Sequence, residues 1–190
     1  MLKKYVSVVF LAVTLAVASA VGVSGVEPQE ADASTYITVQ TCTTGTIELN
    51  SDEKRILDLQ NQARTSRGKE ALCVHPALTE AARAHSQDML DRDYSSHTSP
   101  DGETVKQRLE RFGYTFNGYS YYAYGENIAW GSGTTYASAD YLFKWWMRSK
   151  KHRRNILKDS FREVGIGVKT GTYKTYTNTK MGTVDFGVRR

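Results

Sequence analysis

Val164-Gly165-Ile166-Gly167-Val168 and Val184-Asp185-Phe186-Gly187-Val188 decide the fold class of this 190-residue chain. Both runs alternate apolar residues with glycine or a polar residue, the period of a strand with one face on a core. Glycine on the opposite face admits another element close to the backbone. Thr170-Gly171 and Asn178 supply turn chemistry between the runs, which therefore read as antiparallel strands. Upstream the period changes to that of a helix. Ser51 is placed to cap a first helix through Arg64, with Ile56, Leu59, Gln60 and Ala63 on one face and Gly68 ending it. A second helix follows Pro76 and carries Leu78, Ala81, Ala82, His85 and Met89 in one stripe. A third, short one begins after Asp101-Gly102 and buries Val105, Leu109 and Phe112. A fourth runs from about Ser138 to Arg148 with Tyr141, Leu142, Trp145 and Trp146 as its apolar face. Helices first and antiparallel strands last imply one α+β layered domain over residues 49–190, long enough for a single proper core.

The N-terminus reads differently. Lys3-Lys4, an apolar run from Tyr5 to Val17 and then Ala18-Ser19-Ala20 have the pattern of a secretory signal peptide over residues 1–20. The run is short for a membrane span, which needs about 20 apolar residues; the alternative is an uncleaved anchor. Ala31-Asp32-Ala33 offers a second small-residue site, so the cleavage point stays open. Residues 21–48, rich in Ser, Thr, Val and Gly, read as a linker or loose lead-in. A secreted, extracellular chain without a membrane span is expected. Its net charge of +5 falls by two with the signal peptide. Such weak basicity argues against a nucleic-acid binder and leaves room for anionic wall polymers or lipid headgroups as partners. Export conditions favour a Cys42–Cys73 disulfide; the alternative is a pair of free thiols.

Five motifs then stand in order: Ser96-His97-Thr98-Ser99-Pro100-Asp101-Gly102, Gly125-Glu126-Asn127-Ile128-Ala129-Trp130-Gly131, Trp146 to Leu157 around His152, Phe161 to Val168, and Thr183 to Gly187. Together they resemble the motifs of bacterial CAP-superfamily domains, the group of cysteine-rich secretory proteins, antigen 5 and pathogenesis-related 1. The resemblance covers about residues 52–190. It implies a three-layer α–β–α sandwich with a central antiparallel sheet, and the convergence of His97, Glu126 and His152 in one open cavity. Larger eukaryotic members place a second glutamate there; this chain has no acid around Trp145-Trp146-Met147-Arg148-Ser149.

Two imidazoles and a carboxylate with open positions are ligand types for zinc or another divalent metal. The cations flanking His152 are expected to keep its ring neutral, as ligation requires. The alternative is a polar cluster that only supports loops and helix ends. His85, on an apolar stripe, reads as a satisfied core histidine, and His75 before Pro76 as a turn residue. Tyr121, Tyr122, Tyr124 and Ser149 are candidates for the rim of the cavity, since tyrosines in a Gly/Asn/Ser loop offer flat faces with polar tips. No residue is assigned a catalytic role. There is no His-Glu-x-x-His helix and no Gly-x-Ser-x-Gly elbow. The leading expectation is an extracellular binding or scaffolding module for cell-wall glycan, peptide or lipid. The rival is a metal-dependent hydrolase, peptidase or wall-lytic, using the same cavity.

Overall fold

A computed structural model describes residues 35–190; the expected signal peptide lies outside the described residues. A hairpin comes first, β1 (Tyr36–Gln40) paired antiparallel with β2 (Thr46–Asn50). Ile37, Val39, Ile47 and Leu49 alternate through it, and Leu49 is fully buried. Residues 36–50 are thus an ordered hairpin where the sequence reads as loose lead-in, because two short alternating runs flanking a Gly45 turn find each other. Cys42 and Cys73 form the disulfide, 31 residues apart, and it ties this hairpin to the rest of the fold. In the chain-entropy account a loop of that size contributes about 3–4 kcal/mol. Urea unfolding with and without reductant should therefore differ by about that much; coincident curves would mean that the bridge adds nothing.

Helix α1 (Ser51–Thr65) is capped by Asn50 rather than Ser51: Asn50 accepts from the Glu53 N–H and Glu53 accepts from the Asn50 N–H. Then come β3 (Cys73–Val74), α2 (Pro76–Asp91), α3 (Val105–Arg111), β4 (Tyr122–Ser132), α4 (Gly133–Tyr136), α5 (Ala139–Arg148), α6 (Lys150–Ile156), β5 (Glu163–Tyr173) and β6 (Tyr176–Arg189). The main sheet has the order β3-β5-β6-β4, antiparallel except for the short β3–β5 pair. Strand β4 is therefore an edge strand.

The three layers follow from the two faces of β5 and β6. Val164, Ile166, Val168, Val184 and Phe186 pack with Ile56, Leu142, Trp146 and Phe161 beneath α1 and α5. The opposite face, with Gly165, Gly167, Thr183 and Asp185, lies under α2. A Cβ on Gly165 would stand 2.0 Å from the Leu78 carbonyl carbon, and one on Gly167 2.2 Å from the Arg83 nitrogen. Glycine is what lets α2 press onto the sheet. Two arginines, one half-buried and one fully buried, lock the layers. Arg83 bridges to Glu53 at 2.6 Å, and the fully buried Arg64 donates to the carbonyls of Glu70, Ile156, Lys158 and Phe161. The second of these holds the chain as it leaves α6.

Candidate functional site

Glu126 sits within β4 on the face covered by α2, its side chain 1% exposed. Its Oε1 accepts from His97 Nδ1 at 2.6 Å, and its Oε2 from Arg108 Nη2 at 2.7 Å. The same Nη2 donates to the His97 carbonyl at 3.1 Å. One buried guanidinium thus braces both members of a carboxylate–imidazole pair. The hydrogen bond puts the His97 proton on Nδ1 and leaves Nε2 as the open nitrogen of a half-exposed ring. Burial pushes the Glu126 carboxyl up, but the bond from His97 and the neighbouring positive charges outweigh it and hold it below the usual range.

His152 enters from α6. Its ring lies 4.9 Å from that of Trp145, and its carbonyl accepts from Asn127 Nδ2 at 3.0 Å. Asn155 Nδ2 reaches Asn127 Oδ1 at 2.9 Å and the Glu126 carbonyl at 3.2 Å. These two asparagines clamp α6 to β4 and set His152 beside the strand that carries Glu126. Burial, then the proximity of the His97 imidazole, then Lys151 lower the His152 pKa and favour the neutral ring. Burial is thus the leading cause, and of the flanking Arg148, Lys150, Lys151, Arg153 and Arg154 only Lys151 contributes. His97 and His152 stand near enough for one charge to act on the other. Both Glu126 oxygens are already engaged, and among the described residues no three His, Cys, Asp or Glu side chains form a ready metal cluster.

Two further groups complete the interior. His85 is buried, with Nε2 3.0 Å from the Ser96 carbonyl and 3.9 Å from Glu126 Oε1; burial lowers its pKa, as a satisfied core histidine requires. Asp185 faces Glu126 directly across the β4–β6 register. It is fully buried and neither of its oxygens has a hydrogen-bond partner among the described residues. Burial and the charge of Glu126 raise its pKa well above the usual carboxyl value. Arg108 was legible in principle: Val105, Arg108, Leu109 and Phe112 lie on one helical stripe, so the arginine points inward with its neighbours. His75, capping α2 through its backbone, meets Arg189 Nη2 at 3.1 Å through its Nε2.

Of the candidate rim tyrosines, Tyr124 stands two residues before Glu126 on the same face of β4. Tyr122 and Tyr124 pack on Phe116 and Tyr121 lies under Arg190, at the N-terminal end of β4. Ser149 joins α5 to α6 and caps through its backbone. At the other end of β4 a groove of about 680 Å³ adjoins His152, lined by Trp130, Tyr136, Tyr141, Trp145 and Tyr176.

With this geometry in place, comparison with known proteins is decisive on kinship. Residues 57–186 match the cysteine-rich secretory protein (CAP) family. The chain belongs to that family. The protein YkwD of Bacillus subtilis is 35% identical over 136 residues, 71% of this chain and 49% of the relative. The membrane protein YlbC of the same organism is 33% identical over 118 residues, 62% of this chain and 32% of that one. The chain thus spans half or less of the length of these curated relatives. An extracellular protein of Bacillus anthracis containing an SCP domain superposes with a TM-score of 0.59 at 29% identity, over 73% of this chain and 40% of the other. An outer surface protein of Borrelia burgdorferi, at 18% identity and a TM-score of 0.61, shares the fold over 82% of this chain and all of its own. The α–β–α sandwich is therefore the CAP fold, and among the described residues no helix is long and apolar enough to cross a membrane.

Proposed function

We propose that this CAP domain acts outside the cell as a binding module, with His97 and His152 as a divalent-metal pair and Glu126 as the group that orients His97. The observation that carries the reading is the 2.6 Å contact between His97 Nδ1 and Glu126, itself braced by Arg108. A carboxylate on one imidazole nitrogen is the usual support for a ring whose other nitrogen binds metal. His152, kept neutral by burial, is the second donor. Such an ion would supply Lewis acidity and open coordination positions for a ligand oxygen. The same engagement of Glu126 speaks against hydrolysis. A carboxylate held below its usual pKa and occupied at both oxygens is poorly placed to take a proton from water. An extracellular setting is supported by the signal-like sequence of residues 1–20 and by the Bacillus anthracis relative, itself an extracellular protein.

Zinc titrated into the protein should bind stoichiometrically and be lost in His97→Ala and in His152→Ala. Glu126→Gln, which keeps shape but weakens the orienting bond, should reduce affinity by about 10–100-fold without abolishing it. No heat with the wild-type protein, or loss in neither histidine variant, would reduce the cluster to a support for the fold.

A further inference from the structure

The groove beside His152 is built from paired rings. Trp130 packs on Tyr173 and Tyr176 with centroids 4.9 and 5.5 Å apart, Tyr136 on Tyr141 at 4.9 Å, and Trp145 on His152 at 4.9 Å. Each platform is steadied by its neighbour while faces remain open: Tyr136, Trp145 and Tyr176 are 53%, 43% and 50% exposed. Aromatic side chains dominate the lining, and Ile128 and Ala129 are its only aliphatic residues beyond glycine. A groove for acyl chains would call for the reverse.

Charge supplies the second observation. Lys144, Arg148, Lys150, Lys151, Arg153 and Arg154 crowd onto α5 and α6, and among the described residues none of them is in an ion pair. The one acid on those helices, Asp140, is bound to Arg55. Arg148 stands one turn beyond Trp145 and Lys151 immediately precedes His152, and both Trp145 and His152 line the groove, so these cations flank it. A basic border beside stacked rings draws an anionic ligand and holds its flat faces.

A strand-adding peptide is disfavoured by a third observation. The free edge of β4 is already used, because Trp146 Nε1 donates to the Ile128 carbonyl at 3.0 Å and Asn155 Nδ2 to that of Glu126. Edge carbonyls taken by side chains cannot template another strand.

We infer that the Trp130–Tyr136–Trp145–Tyr176 groove binds an acidic polysaccharide, its pyranose rings stacked on the aromatic faces and its carboxylate or phosphate groups met by Arg148 and Lys151. The C–H face of a pyranose is apolar and its rim is polar, which matches rings whose tips carry O–H and N–H groups. This inference rests on the reading of the domain as an extracellular binding module.

The test is calorimetry with an alginate oligomer, compared with a neutral cellulose oligomer, oligothymidylate and palmitate. Alginate should bind at least about 10-fold more tightly than the neutral sugar, with the advantage shrinking at high salt. Tyr176→Ala, at a half-exposed hairpin position, should weaken alginate about 10-fold while the thermal midpoint stays close to that of the wild type. An Arg148→Glu/Lys151→Glu pair should remove the preference for the acidic sugar. Equal binding of the two sugars, no sugar binding, or tighter binding of oligothymidylate or palmitate would overturn the inference. Zinc titrated into the same samples keeps the two readings apart. Zinc without alginate binding overturns the groove alone, whereas alginate binding that Tyr176→Ala weakens, without zinc, supports the groove and removes the metal pair.

Discussion

Arg108→Met is expected to destabilise the fold by about 3–5 kcal/mol, the cost of stranding one member of a buried ion pair. Arg108 and Glu126 are each 1% exposed and meet at 2.7 Å. Removing the guanidinium leaves a carboxylate in the interior with no permanent cation, only the imidazoles of His97 and His85 beside it, and also deletes the bond to the His97 carbonyl. The Nε and Nη1 atoms of Arg108 have no partners among the described residues, so the loss traces to the two bonds of Nη2. Urea unfolding should show the midpoint falling with the slope unchanged. Adding Glu126→Gln to Arg108→Met should return much of that stability, because a neutral amide no longer needs the cation. The resulting double-mutant cycle isolates the coupling within the pair. If Arg108→Met were as stable as the wild type, the pair would be a surface-like contact and the brace on His97 would carry no energy.

The sequence exposes the helices and the two central strands of this domain more readily than the edge strand that carries Glu126. Period-two runs around Val164 and Val184, and stripes such as Leu78-Ala81-Ala82-His85, place β5, β6 and α2 because burial imposes those periods directly. Strand β4 escapes the same reading. Gly125, Asn127 and Gly131 interrupt Tyr122–Ser132 with residues of low strand preference, and Glu126 looks like part of a turn. Their reasons are tertiary. A Cβ on Gly131 would stand 2.1 Å from the Tyr136 carbonyl oxygen, and one on Gly125 3.2 Å from Phe161. Asn127 exists to meet α6. Trp145 illustrates the opposite failure, since its stripe predicts burial while the α5–α6 bend leaves it 43% exposed over the groove. The candidate site was legible as residue types at motif positions. Its wiring was not, because Arg108 and Asp185 reach Glu126 only through the crossing of α3 and the β4–β6 register.

That register matters for the electrostatics of the site. Glu126 and Asp185 are cross-strand neighbours on one face, where two ionised carboxylates would repel each other. The structure separates their roles: Glu126 takes the bonds from His97 and Arg108 and stays charged, while Asp185 has none and stays protonated. A neutral Asp185 lets the positive charge of Arg108 act on Glu126 alone, so the carboxylate can hold His97 firmly.

Asp185→Asn should make stability at neutral and alkaline pH rise relative to the wild type. The folded-state pKa of Asp185 is raised by burial and by Glu126, so the native protein holds a proton that the unfolded chain releases above about pH 4. Where the native state binds more protons, stability falls as pH rises. This contribution is complete below the unfolded pKa, then declines by about 1.4 kcal/mol per pH unit until the folded group itself ionises. Asparagine has the same shape and no such proton. The two unfolding curves should therefore lie a fixed distance apart below about pH 4 and diverge above it. Glu126, with its folded pKa lowered, acts in the acid range: its stabilisation is present above the unfolded value and lost as pH falls through the folded one. His75, His85 and His152, whose pKa values are lowered chiefly by burial, favour the fold increasingly as pH rises toward about 6.5. They titrate in both proteins and cancel in the difference. Parallel curves from pH 4 to 8 would show that Asp185 is ionised in the native state, and the division of labour between the two carboxyls would then have to be abandoned.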